Sequence, residues 1–271
     1  MPATTTSKHD SAGWRNVPKQ SKPVDQKRVQ ELLKKEWARF EASTKASGDH
    51  NKKASKVLPL GVTSSFQHWD PYPISIVSAK GAYLTDVDGR KLLDLSMGFG
   101  AMLVGHLNPK VIKKVKKAIR STGTLFVTPS PTATDVAEKF KKRFDLDMLR
   151  FTNSGTESTM YAIRTARAVK GRNGVIKVEG GYHGGYDPLQ VSVKPALNEI
   201  GDANLPTAQV PPEVEAGDVY VVPYNNLESL EKIMKDHGKK IACFMIEPVI
   251  ENLSIILPDE GYLKSVRELC D

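Results

Sequence analysis

The chain has 271 residues, of which 39% are hydrophobic and 26% charged, and its formal net charge is +8 at pH 7. This length permits a sizeable core, and no apolar run reaches the roughly 18 residues that a membrane span needs. The surplus of lysine and arginine falls on predicted helices without interleaved aromatic residues, which favours a basic surface over nucleic-acid binding. The two cysteines, Cys243 and Cys270, lack metal-ligand spacing and are predicted to be buried thiols rather than a disulfide.

The N-terminal region is predicted to be a polar tail, residues 1–25, followed by an amphipathic helix from Asp25 to about Ser47. A transit peptide is the alternative for the tail, but Asp10 and Asp25 and the lack of a clear apolar stripe disfavour it. No hydrophobic segment typical of a secretory signal is present, so we expect a cytoplasmic protein. The helix carries an apolar stripe that fits core packing, made of Val29, Leu32, Leu33, Trp37 and Phe40.

The next segments are predicted to be a loop over residues 59–69 and an antiparallel meander over residues 75–96, with a hairpin turn at Asp88-Gly89. A glycine-rich connection then leads to a basic helix that starts near residue 109. His106, beside that helix start, is interpreted as a capping or packing residue, because no second ligand lies at metal spacing and we expect no metal site. A further helix is predicted over residues 131–144.

Residues 149–170 form the most informative segment, in which an apolar strand end is followed by Asn153-Ser154-Gly155-Thr156 and a long amphipathic helix. Gly155 permits a tight or left-handed turn, and Thr156 is predicted to be the helix N-cap. Unpaired amides at such a helix start hold a phosphate, and the Ser154 and Thr156 hydroxyls add donors. The alternative is an ordinary capped helix after a strand.

A second motif follows one helix later, where a strand over residues 175–178 ends in glycines around Tyr182 and His183. Such a loop brings a flat ring close to the chain, so either side chain is a candidate for stacking on a heteroaromatic ligand. The alternative is a flexible turn with a half-buried tyrosine. Neither a dinucleotide glycine fingerprint nor a P-loop is present, so the predicted phosphate site belongs to another class.

Strands at residues 175–178, 219–222 and 241–246 alternate with helices, which predicts crossover connections and a largely parallel sheet. Ligands bind at the carboxyl ends of such strands, where Asn153, Tyr182 and Glu247 fall. Glu247 precedes Pro248, which alternatively just ends the strand. Residues 194–217 carry four prolines and are interpreted as either a specificity loop or a surface insertion.

These motifs, NSGTE, AIRTARAVKGR, EGGYHGG, MIEPV and LPDEGYLKSVRELCD, resemble those of the class III aminotransferases, which are pyridoxal-phosphate enzymes of fold type I. The resemblance covers roughly residues 55–271 and is greatest to the branch of glutamate-1-semialdehyde aminomutase and the β-amino-acid aminotransferases. It implies an α/β fold, with a mostly parallel sheet in the large domain (residues 96–271) and a small N-terminal α+β part (residues 26–95).

The resemblance also implies site residues. Ser154, Gly155 and Thr156 are expected to bind the cofactor phosphate, Tyr182 to stack on the pyridine ring with His183 beside it, and Glu247 to act near the cofactor edge as the catalytic candidate. The loop that contains Ser64, Phe66 and Trp69 is expected on the substrate side. Expected partners are a small amine or amino acid and a keto acid or aldehyde, with neither nucleic acid nor membrane. A second subunit is expected in the complete protein, and the resemblance implies that the N-terminal helix contacts it as the alternative to core packing.

The chain departs from the family pattern in two ways. The loop at residues 64–69 offers no arginine, so no anchor for a substrate carboxylate is identified. The Asp-Glu-Val strand and the Schiff-base lysine of the family do not occur before Asp271, and a pyridoxal-phosphate enzyme needs both for catalysis. We therefore expect an N-terminal fragment of an aminotransferase, inactive by itself and prone to aggregate through an uncovered sheet edge. Two alternatives remain, which are an inactive truncated aminotransferase-like protein and an aminomutase.

Overall fold

The computed structural model describes residues 25–123, 128–194 and 217–271. The chain divides into two compact units, Met1–Thr128 and Pro129–Asp271. The predicted boundary between residues 26–95 and residues 96–271 refers to the two domains of the family, and it stays a prediction. The predicted tail with its transit-peptide alternative and the proline-rich segment of residues 195–216 lie outside the described residues.

The first unit begins with two consecutive helices where one was predicted. Helix α1 ends at Ser43 rather than near Ser47, and Thr44 separates it from a second helix. The Asp88 carboxylate then accepts from the amides of Ala46 and Ser47 and so starts the next helix. The helices of this unit are α1 (Gln26–Ser43), α2 (Lys45–Ala54) and α3 (Pro109–Ser121), with short 3-10 turns at Pro59–Gly61 and Ser65–Gln67.

The predicted meander is confirmed as a three-stranded antiparallel sheet in the order β1-β2-β3. Its strands are β1 (Ile76–Lys80), β2 (Tyr83–Asp86) and β3 (Lys91–Leu93). The turn between β2 and β3 contains Asp88-Gly89 as predicted, and Gly89 takes a left-handed φ of 82° that glycine adopts without strain. His106 pairs with Asp94 through an Nε2 to Oδ2 distance of 2.7 Å, in keeping with a structural role.

The second unit alternates helices and strands, as the sequence predicts. Its elements are α4 (Pro131–Phe144), α5 (Gly155–Lys170), β4 (Gly174–Val178), α6 (Asp187–Gln190), β5 (Val219–Val222), α7 (Leu227–His237), β6 (Ile241–Met245) and α8 (Tyr262–Cys270). The strands form a parallel sheet in the order β5-β4-β6. The expected parallel sheet is thereby confirmed.

One predicted strand is wrong. Residues 149–152 precede helix α5 but pair with no strand among the described residues, and the Phe151 side chain is 52% exposed. The apolar residues before Asn153 therefore do not form the buried end of a strand in this structure. The cysteines are free, but both are half-buried rather than buried.

The core of the second unit lies on both faces of strand β4, all five residues of which are buried. On one face Ile176 packs with side chains of α7 and α8, including Leu230 and Val266. On the other face Val175 packs with Ile163 of α5 and Leu189 of α6. A strand covered on both faces is typical of parallel sheets, and it places the carboxyl end of β4 on a rigid base.

Candidate cofactor-binding site

The start of helix α5 is organised by Ser154, not by Thr156 as predicted. The Ser154 hydroxyl accepts from the amide of Glu157 at 3.1 Å, and the Glu157 carboxylate accepts from the amide of Asn153 at 2.6 Å. Thr156 instead lies inside the first turn. Gly155 is the first residue of the helix and does not have a left-handed backbone conformation. The tight or left-handed turn predicted at Gly155 is therefore also wrong. The spacing Ser-x-x-Glu, a known helix-start pattern, would have identified the cap.

This helix start presents unpaired backbone donors. The amides of Gly155 and Thr156 have no acceptor among the described residues, and a Cβ added at Gly155 would meet nothing within 4 Å. The helix runs for 16 residues, so its dipole adds positive potential at the same point. The geometry is that of an anion site.

The glycine-rich loop after β4 lies directly against this helix start. The Thr159 hydroxyl donates to the carbonyl of His183 at 2.8 Å, and the Gly185 amide donates to the Thr156 hydroxyl at 3.0 Å. Gly184 has a φ of +92°, and a Cβ there would come within 2.5 Å of the Thr156 hydroxyl oxygen. The structure thus brings the two predicted motifs together, and glycine is what permits the approach.

Glu247 joins the same loop from the end of strand β6. One carboxylate oxygen accepts from the amide of Tyr182 at 2.8 Å, and the other accepts from the amide of Glu251 at 3.1 Å. Tyr182 as a whole residue is 54% exposed. Glu247 therefore fixes the backbone that presents an accessible aromatic ring, while its assignment as a catalytic residue stays a prediction.

His183 is buried in the same loop, with 8% of its surface exposed. Burial, reinforced by the nearby charge of Lys177, lowers the pKa of His183 from 6.5 to about 4, so the imidazole is neutral at pH 7. Its Nε2 has no hydrogen-bond partner within the described part of the chain. A Cβ on Gly181 would lie 3.3 Å from that nitrogen and 3.6 Å from a Glu247 oxygen, so the loop packs closely around both polar atoms and a side chain at position 181 would crowd them.

Lys177 is a component of the site that the sequence reasoning missed. It occupies the fourth position of β4 with no exposed surface, and its Nζ donates to the carbonyl of Val191 at 2.6 Å. Burial lowers the pKa of Lys177 to about 8, while the charges of Glu247 and Glu179 oppose that shift. The sequence does hold a signal for this residue, because Lys177 is the one charged residue in an otherwise apolar strand. Strands of parallel sheets are normally covered on both faces, so a lysine there is expected to be buried.

The predicted substrate-side residues Ser64, Phe66 and Trp69 belong to the first unit, where Phe66 lies in the second 3-10 turn and the other two lie on either side of it. Phe66 and Trp69 are 59% and 67% exposed, and the Phe66 ring meets that of Phe99 edge to face at 5.5 Å. Their role at a substrate stays a prediction.

No group of three or more His, Cys, Asp or Glu side chains in the described ranges is arranged to hold a metal ion. No helix in these ranges has the length and apolar character to cross a bilayer.

The parallel sheet with helices on both faces belongs to the fold of the pyridoxal-phosphate enzymes of fold type I. More narrowly, the chain belongs to the class-III aminotransferase family, whose family model matches residues 65–271. Pyridoxal phosphate is the cofactor of that family.

Individual relatives agree with this family. A glutamate-1-semialdehyde 2,1-aminomutase of Lawsonia intracellularis is 41% identical over 223 residues, which are 81% of this chain and 51% of that protein. A crystal structure of a glutamate-1-semialdehyde aminomutase from Pseudomonas aeruginosa PAO1 matches with a TM-score of 0.80 at 28% identity, over 91% of this chain and 53% of the other. A transaminase with PLP bound matches with a TM-score of 0.77 at 30% identity, over 84% and 53%. The chain spans about half the length of the curated relatives it matches.

Proposed function

We propose that this chain provides the phosphate- and ring-binding part of a pyridoxal-phosphate-dependent aminotransferase, which moves an amino group between an amine or amino acid and a keto acid or aldehyde. The observation that carries the proposal is the contact between the first turn of α5 and the loop of residues 181–185. It sets an anion site beside an exposed aromatic ring, and pyridoxal phosphate combines a phosphate with a heteroaromatic ring.

The residues divide the binding task among them. The Gly155 and Thr156 amides and the Ser154 hydroxyl bind the phosphate, since they are donors at the positive end of a helix. Tyr182 stacks on the pyridine ring, because its own ring is accessible while its backbone is held by Glu247.

His183 and Glu247 complete the proposed pocket. His183 lies beside the ring as a neutral imidazole, buried in the loop that presents Tyr182. Glu247 orients the loop through the Tyr182 amide. The cofactor, when bound, supplies an electron sink for the amino-group chemistry.

Two alternatives are kept. Aminomutase activity of the glutamate-1-semialdehyde type is favoured by the names of the relatives, but the loop of residues 64–69 offers no arginine for a substrate carboxylate. The other alternative is an inactive aminotransferase-like protein, which the first test below distinguishes from an enzyme. A small-molecule substrate pair, a homodimer and a cytoplasmic location are part of the proposal.

The first test measures the intact mass of the native protein and its absorbance with pyridoxal phosphate, before and after borohydride. An aminotransferase gives a mass above the 29.8 kDa of this chain and a yellow band that borohydride fixes to one lysine. Pyridoxal without phosphate is the matched control and binds more weakly if the helix start holds the phosphate. Equal binding of the two ligands would contradict the proposed phosphate site, and the chain's own mass with no fixed cofactor would favour the inactive alternative.

A further inference from the structure

Lys177 is an unusual residue for the middle of a covered parallel strand. Its neighbours in the sheet register are Val221 of β5 and Met245 of β6, and its side chain has no exposed surface. Transfer of an ammonium group from water into such a site is costly unless the charge is compensated. A residue that serves packing alone would be apolar at this position, as the other members of β4 are.

The compensation comes from the segment that follows α6. The Lys177 Nζ donates to the Val191 carbonyl at 2.6 Å. The adjacent Ser192 carbonyl accepts from the Gly180 amide at 2.7 Å. The ammonium thus fixes residues 191–192, and these in turn fix Gly180, where the loop that bears Tyr182 and His183 begins.

The charge of Lys177 also acts on the two polar groups of that loop. Glu247, which accepts from the Tyr182 amide, is near enough to Lys177 to raise its pKa, so the two charges attract each other. The same positive charge opposes protonation of His183. One buried cation therefore favours both the carboxylate that orients the tyrosine and the neutral form of the histidine.

We propose that Lys177 is a positioning residue for the ring-binding loop, which holds residues 180–183 in place through the Val191 carbonyl and through its charge beside Glu247 and His183. This inference rests on the proposed function and deepens it. The competing explanation is that Lys177 contributes to the stability of the fold and to nothing else. The two explanations differ in which ligand they affect. The phosphate donors belong to α5, whereas Lys177 contacts the Val191 carbonyl, and the adjacent Ser192 contacts Gly180 at the start of the ring-binding loop.

The test uses the protein expressed from its whole reading frame and two probes, pyridoxamine 5′-phosphate and inorganic phosphate. Pyridoxamine 5′-phosphate carries the ring and the phosphate but no aldehyde, so its dissociation constant reports non-covalent contacts. We expect Lys177→Met to weaken its binding by about tenfold and to change phosphate binding by less than about twofold. Lys232→Met is the matched control, since Lys232 is an exposed lysine paired with Asp236 on α7, and it should change neither constant.

A second readout follows the His183 imidazole by NMR in the same variants. Its pKa, about 4 with Lys177 present, should rise in Lys177→Met and stay unchanged in Lys232→Met. If the His183 titration does not move in the folded Lys177→Met protein, the charge of Lys177 does not act on this loop and that part of the proposal is wrong.

Each outcome decides the matter. Equal weakening of both probes, or no weakening of either by Lys177→Met, overturns the positioning role. If Lys177→Met does not fold, Lys177→Gln replaces it, and if neither neutral variant folds while Lys177→Arg does, the stability explanation holds and the proposal is wrong. If the unaltered protein binds neither probe, it is the proposed function that fails.

Discussion

The two units of the chain are stabilised by different kinds of interaction. Among the described residues, every buried hydrophobic side chain except Ala54 lies in the second unit. Strand β4 of that unit is buried throughout, whereas strand β1 of the first unit has no buried residue. The second unit therefore gains its stability from apolar burial, which is the dominant favourable term in folding.

The first unit depends instead on polar contacts at its turns. Asp86 is buried and accepts from both the amide and the side chain of Arg90, each at 2.7 Å. Asp88 in the same turn accepts from the Ala46 and Ser47 amides, 42 and 41 positions away. Such contacts specify geometry but are individually worth about 1 kcal/mol. The candidate cofactor loop thus lies in the unit with the stronger core, and preorganised binding needs such a base.

The largest difference is expected from truncations of apolar side chains. Ile176→Ala in the second unit should lower the free energy of unfolding by about 2–5 kcal/mol, because it opens a cavity in a fully buried cluster. Leu93→Ala in the first unit, where the side chain is 56% exposed, should cost less than about 1 kcal/mol. Urea unfolding followed by circular dichroism measures both.

Tryptophan fluorescence separates the units in that experiment, because Trp14, Trp37 and Trp69 all belong to the first. Equal losses from the two truncations would show that the first unit has a core comparable to that of the second, and the comparison would fail.

Acid should affect the second unit at a higher pH than the first. Since the pKa of His183 is lowered from 6.5 to about 4, the unfolded chain takes up this proton first as the pH falls. Stability of the second unit should therefore fall between about pH 6.5 and pH 4, by on the order of 3 kcal/mol. His183→Gln should remove that slope, as measured by thermal melts at each pH.

The corresponding group in the first unit is Asp88. Burial raises its pKa, but hydrogen bonds from Ser47 and the Ala46 amide outweigh this, and the net pKa lies below 3.8. A lowered carboxyl pKa gives stability that is present above the unfolded value and is lost as the pH falls through the folded value. The first unit should therefore keep its tryptophan signal at pH 4.5. Loss of that signal together with the second unit would refute the separation.

The sequence predicted the second unit better than the details of its site. Strand β5 and helix α4 were predicted with their bounds, because the apolar run of β5 and the proline at the start of α4 are local signals. The end of α1 at Ser43 was missed because its cause is Asp88, which is distant in sequence. A pattern within one helix cannot contain that contact.

The errors at the site have similar physical reasons. Ser154 and Thr156 are both good cap formers, and only the reciprocal contact with Glu157 distinguishes them. Lys177 looks like the polar member of a half-exposed strand until the sheet is seen to be covered on both faces, and its acceptor is 14 positions away. Contacts between the Thr156 and Gly184 regions likewise depend on the crossover from α5 to β4.

Alanine substitutions of glycines with a positive φ should cost more stability in the second unit than in the first. Gly184→Ala in the second unit places a Cβ 2.5 Å from the Thr156 hydroxyl oxygen at a φ of +92°, so we expect a loss of roughly 2–3 kcal/mol and weaker binding of pyridoxamine 5′-phosphate. Gly89→Ala in the first unit has a φ of +82° but open space, and should cost about 1 kcal/mol. Gly185→Ala, with neither constraint, is the control for the loop and should stay within about 0.5 kcal/mol. A Gly184→Ala protein that binds as tightly as the unaltered one would mean that the loop need not lie against α5.

The smallest effects on stability are expected from two N-cap substitutions. They distinguish a residue that only caps a helix from one that also binds phosphate. Ser154→Ala in the second unit and Asn108→Ala in the first each remove the side-chain acceptor of a helix start, and each should cost about 1 kcal/mol. Only the Ser154 hydroxyl lies at the proposed phosphate site, where it donates while it caps. Calorimetric titration with inorganic phosphate should therefore show weaker binding for Ser154→Ala and an unchanged constant for Asn108→Ala. If the two variants lose equal stability and neither changes phosphate binding, Ser154 is a helix cap alone, and the Gly155 and Thr156 amides would have to hold the phosphate without it.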